Sequence, residues 1–131
     1  MGAWGKGPFD NDSAHDWLLD AEDVEPDQAV LDALEAVQGV DYIEVDEGSA
    51  VVAAATILLA AMRREPLAGP EPAVRMAAAL EPTSELRELA VAALDVVLGD
   101  RSELAELWAE GGEPDEWRRE TEALRDAIAR G

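Results

Sequence analysis

Apolar residues recur along most of this chain with the 3.6-residue period of amphipathic helices. Ala14, Trp17, Leu18 and Ala21 follow i, i+3, i+4, i+7, one stripe of a first helix. Pro26 suits the first turn of a second, with Val30, Leu31, Leu34 and Val37 on its inner face and Gly39 just past its end. From Val40 to Val45 the residues are β-branched and aromatic, but a lone strand cannot make a sheet, so the segment reads as a loop or a short helical turn. Asp46 is the expected cap of a third helix that ends near Arg64, with acids at its start and an Arg pair at its end, as the macrodipole favours.

The period vanishes from Ala50 to Met62, where Thr56 alone interrupts an apolar run. A helix apolar on nearly all sides belongs at the centre of a fold. At 13 residues the run is short of the roughly 20 that span a bilayer, so a buried core helix is expected. A short helix from Pro72 to Leu80 follows, then one capped by Thr83 or Ser84 that places Leu86, Leu89, Ala90, Ala93, Leu94 and Val97 on one face and ends at Gly99. Ser102 to Ala109 forms a short helix carrying Leu104, Leu107 and Trp108. The last begins at Pro114, with Asp115 and Glu116 in its first turn and Trp117, Thr121, Leu124 and Ile128 buried. Two breaks, Pro66 to Pro72 and Gly111 to Pro114, are short enough to be loops. The expected architecture is therefore all-α, one domain over residues 1–131, with six or seven helices around the Ala50–Met62 segment.

Composition narrows the function. The 131 residues include 30 acids against 10 Lys and Arg, a net charge of −20, which disfavours nucleic acid and anionic membrane as partners. The absence of cysteine removes disulfides, thiolate metal sites and thiol catalysis. The amino end has no basic stretch followed by an apolar one, so no secretory signal is read and a cytoplasmic location is expected. No motif calls for a cofactor.

The opening stretch, Trp4-Gly5-Lys6-Gly7-Pro8-Phe9-Asp10-Asn11-Asp12, stands apart. Gly5 and Gly7 allow a sharp turn, Pro8 stiffens the approach to the first helix, and Asp10, Asn11 or Asp12 can cap it. With Asp10 as the cap, Phe9 and Ala14 would form a hydrophobic staple. Residues 1–11 read as a clasp in which Trp4 and Phe9 pin the terminus to the domain. Trp4, Gly5, Gly7, Pro8, Phe9, Asn11 and Asp12, followed by Ala14 and Asp16, resemble the start of the domain-of-unknown-function 4259 family, in which Lys6 stands where relatives often carry a small hydroxyl residue. The resemblance implies a small bacterial cytoplasmic protein and carries over no catalytic residue. A phosphate loop is a poor reading of the glycines, since no strand precedes them and acids follow.

Candidate chemistry is sparse. His15, the sole histidine, lies beside Asp12 and Asp16, but residues 15 and 16 diverge by about 100° on a helix, which spoils a metal site. A hydrolase with His15 as base lacks a nucleophile, because Ser13, Ser49, Ser84 and Ser102 look like caps or helix starts. Asp41, Glu44 and Asp46 around Tyr42 and Ile43 are a weak acid–base region, read more simply as loop acids and a cap. Of the four tryptophans, Trp108 beside the Gly-Gly break is the one expected to be partly exposed and open to a ligand. Acids gather in Asp10–Asp27 and Glu103–Glu122, the second diluted by Arg118 and Arg119. The favoured expectation is a non-enzymatic module that binds a basic protein through an acidic helical face, as a neutraliser of a nuclease toxin would by imitating phosphate. The alternative is a metal-binding protein or small hydrolase centred on Asp12, His15 and Asp16. Burial within one chain explains the Ala-rich segment without a partner, so a monomer or weak homodimer is expected.

Overall fold

The apolar run is the axis of the molecule. In a computed structural model, which describes residues 8–111 and 114–131, it belongs to the helix α3, Val45–Arg63. Around it stand α1 (Asp12–Ala21), α2 (Pro26–Glu35), α4 (Glu71–Ala79), α5 (Ser84–Leu98), α6 (Glu103–Glu110) and α7 (Pro114–Arg130), and α3 packs against all six. These seven helices are the regular elements of the described residues, so the class is all-α. At 19 residues α3 is long and apolar enough to cross a membrane by length and composition alone. Within the fold, Ala50 to Ala55, Ile57, Leu58 and Ala61 are buried among its neighbours. Its alanines let those helices come close, and at Gly48 a Cβ would stand 3.3 Å from the Cβ of Leu104 on α6.

The helix ends show which residues won the competition to cap. Asn11, not Asp10, caps α1: its Oδ1 accepts from the Ala14 N–H at 2.7 Å, which puts the polar Asp10 and His15 at N′ and N4, so the expected Phe9–Ala14 staple is not in register. Glu44, not Asp46, caps α3, in a box where the Glu47 carboxylate accepts from the Glu44 N–H at 2.9 Å. Asp46 lies inside the first turn instead. Thr83 caps α5 through the Leu86 N–H, and Ser102 caps α6 through the Ala105 N–H. Ser49 is neither a cap nor a start, but a buried residue inside α3. Arg64 ends α3 in the left-handed region, at φ 54.

The segment before α3 is a loop, one of the two expected forms, and not a helical turn, and a single residue of it makes an isolated bridge. Ile43, wholly buried, bridges Ser102 in parallel: its N–H donates to the Arg101 carbonyl at 2.9 Å, and its carbonyl accepts from the Glu103 N–H at 3.0 Å. Glu103 also accepts the Val45 N–H at 2.8 Å, so the starts of α3 and α6 are fastened together. The backbone groups of Ile43 thus find partners without a sheet. At the other side, α5 and α7 pair broadly. Arg125 donates to Asp95 at 2.7 Å, and Arg118 donates to the Leu98 carbonyl at 3.1 Å, satisfying an acceptor that the end of α5 leaves open.

Of the two aromatic residues expected in the clasp, Phe9 lies within the described residues. Phe9 is buried at 6% exposure, with its ring against Gly69 in the loop between α3 and α4. Trp4, Gly5 and Gly7 lie outside the described residues, as do Gly112 and Glu113 of the second break.

Candidate functional site

Two hollows bear on function. The first lies between α1, α2 and the start of α3. On α1, Ser13, Asp16, Trp17 and Asp20 follow helical spacing and face it together. From α2 come Asp32, Ala33 and Ala36, and from α3 Asp46, Glu47 and Ala50. The result is an open groove of about 380 Å³, floored by the half-buried Trp17 and three alanines and rimmed by five carboxylates.

Hydrogen bonds set the walls. Ser13 Oγ donates to Asp46 Oδ1 at 2.6 Å and ties the start of α1 to the start of α3. Gln28 Nε2 donates to Asp32 Oδ1 at 2.7 Å, and Glu47 is held by its capping role. Each of these carboxylates keeps acceptor sites to spare. Among the described residues, none of the five groove acids takes part in an ion pair. The arginines that do pair, Arg75, Arg101 and Arg125, hold other acids: Glu22, Glu71, Asp41, Asp95 and Asp126. From Gly7 to Met62 the chain contains no Lys or Arg at all. The field over the groove is therefore negative.

The second hollow, of about 120 Å³, holds Trp108. Its indole is stacked on that of Trp117, with centroids 6.4 Å apart and rings 8° from parallel, and Pro8 and Asn11 line the same hollow. Pro8 and Asn11 thus share a hollow with the tryptophans of α6 and α7. Thr56 and Thr121, also in the lining, donate back to Val52 and Trp117 carbonyls on their own helices, both at 2.8 Å. The volume is well below the roughly 300–1,000 Å³ of ligand pockets. Packing accounts for Trp108.

The structure separates the residues singled out in the sequence. Asp16 faces the groove, Trp108 the Trp–Trp hollow, and Asp12 and His15 line neither. Asp12 and Asp16 are exposed on α1 and His15 is half-buried. Among the described residues no three His, Asp or Glu come together as metal ligands would. In the weak acid–base region, Asp41 is 3.7 Å from Arg101, Glu44 caps α3 and Asp46 accepts from Ser13. Tyr42 donates to Glu106 at 2.8 Å, and that carboxylate, with Glu103 and Glu44 nearby, pushes its phenol up to about 12. Trp17, Asp20, Asp32 and Glu47 escaped sequence reasoning as site residues, because their meeting depends on how three helices are arranged.

A family model described as "domain of unknown function (DUF4259)" matches residues 2–120. No curated protein and no solved structure matches the chain.

Proposed function

Because the chain belongs to the DUF4259 family, a domain of unknown function, no activity comes with its membership, and we propose that it is a non-enzymatic interaction protein that binds a basic protein partner. It acts in the bacterial cytoplasm, and neutralising a basic toxin is one form of this role. The groove between α1, α2 and α3 carries the reading: five carboxylates without an ion pair among the described residues surround an apolar floor. A surface of this kind speeds encounter with a positive partner and rejects polyanions. Catalysis would need a converging set of reactive groups, and of Asp12, His15 and Asp16 the groove brings in Asp16 alone.

The test is charge reversal at matched sites. Tagged native chain, an Asp16→Lys/Asp20→Lys variant and a Glu120→Lys/Glu122→Lys control are used to capture proteins from a native lysate at low and physiological salt. The retained proteins are identified and their affinities measured. A basic partner held by the native chain and the α7 control but released by the α1 variant is the expected result. Retention of no basic protein at either salt, or equal loss in both variants, refutes the role.

A further inference from the structure

We propose that the groove between α1, α2 and the start of α3 is an arginine anchor, seating one arginine side chain of the partner with its guanidinium over Trp17 and between carboxylates of the three helices. The inference rests on the basic-partner reading and sharpens it to a chemical group.

The floor comes first. Trp17, Ala33, Ala36 and Ala50 present apolar surface, which suits the methylene stem of a long cationic side chain rather than a bare ion. The groove, at about 380 Å³, lies at the small end of ligand pockets and fits one side chain with part of its backbone.

The rim comes next. Asp16 and Asp20 stand on α1, Asp32 on α2, and Asp46 and Glu47 on α3. They surround the floor without converging, since no three acids among the described residues meet as metal ligands do. Spread acceptors match a planar group with five donors better than a point charge. Guanidinium is also less strongly hydrated than ammonium and stacks on indole, so an aromatic floor favours arginine over lysine.

A contrast lies on the other side of α1. The hollow of about 520 Å³ lined by Ala21, Val24, Pro26 and Met76 already has Arg75 of this chain on its wall, ion-paired to Glu22 and Glu71. There the protein supplies its own cation. In the groove, among the described residues, it supplies none.

The probe is a blocked pentapeptide, acetyl-Ala-Arg-Ala-Arg-Ala-amide, compared with its lysine and citrulline counterparts. Binding to the full chain is followed by 15N NMR, with the Trp17 indole N–H signal assigned through Trp17→Phe. The arginine peptide is expected to move that signal together with the amides of Asp20, Ala33 and Ala50. It should bind about 3-fold or more tighter than the lysine peptide, and the citrulline peptide should not bind. Trp17→Leu is expected to abolish the preference for arginine while salt-sensitive binding persists. Should that variant fail to fold, Asp20→Asn/Asp32→Asn, which alters only exposed rim positions, is expected to weaken the arginine peptide several-fold. Equal affinity for the arginine and lysine peptides, with shifts scattered over α1 and α2, overturns the anchor and leaves the basic-partner role standing. Failure of both cationic peptides to bind at low salt overturns the two together.

Discussion

Phe9 and Gly69 form a contact in which the effect of a change at Gly69 depends on whether the Phe9 ring is present. The Phe9 ring is 94% buried and lies against the one side of Gly69 where a Cβ would go, 3.2 Å from Cδ2 and 3.3 Å from Cε2. Removing a buried phenylalanine side chain costs about 3–5 kcal/mol, a large share of the roughly 5–15 kcal/mol that holds a domain folded. At about 2.1 cal/mol/K of unfolding entropy per residue, Phe9→Ala should lower the melting temperature by about 10–20 °C. Gly69→Ala should lower stability by about 1 kcal/mol or more, because the added methyl presses on the ring. Placed in the Phe9→Ala background, the same change meets open space. There it should be neutral or stabilising by about 0.4–1 kcal/mol, through the lower entropy of the unfolded chain. Thermal and urea unfolding of the four proteins, followed by circular dichroism, measures the cycle. A drop of less than about 3 °C for Phe9→Ala, or the same effect of Gly69→Ala in both backgrounds, would refute the Phe9–Gly69 contact.

Two further outcomes are expected. Asn11→Ala should cost about 1 kcal/mol by freeing the Ala14 N–H, and unchanged urea melts would mean that Asn11 does not cap α1. Tyr42 is the sole tyrosine, so absorbance at 295 nm reports its ionisation alone. The phenol donates to Glu106, which favours the neutral form, so its midpoint should be near 12 in the native chain and should fall toward 10 in Glu106→Gln. The sign for stability follows: the folded value is raised, the contribution is full below the unfolded value near 10 and disappears as pH climbs through about 12. A native midpoint at 10 would remove the Tyr42–Glu106 bond from the account.

Helical periodicity carried most of the architecture. On α5, Leu86, Ala90, Ala93, Leu94 and Val97 all went to the core as their spacing requires, and the helix ends where Thr83 and Gly99 mark them. Pro26 opens α2 and Gly39, at φ 71, follows it in the left-handed region. What stayed hidden depends on partners distant in sequence. Val40–Val45 has the residues of a strand, but the backbone that receives Ile43 sits at Arg101 to Glu103, where only a helix start could be read. Glu44, Asp46 and Glu47 look alike as acids before an apolar helix. The choice among them turned on backbone direction and on Ser13 drawing Asp46 away. The groove was invisible for the same reason. A stripe on α1 shows which residues share a face, and nothing in the spacing shows that α2 and the start of α3 border it.

The position of α3 bears on how the protein is made. Its flank is closed in part by α7, the last helix of the sequence, which also covers α5 and contributes the buried Ile128 and Trp117. A chain emerging from the ribosome therefore displays the greasy sides of two helices until Pro114–Arg130 has been synthesised. Any premature stop before that point yields a product with sticky flanks, prone to clump or to be seized by chaperones and proteases. Closure of the core is thus the work of one late helix, and the earlier part of the chain waits for it in an adhesive state.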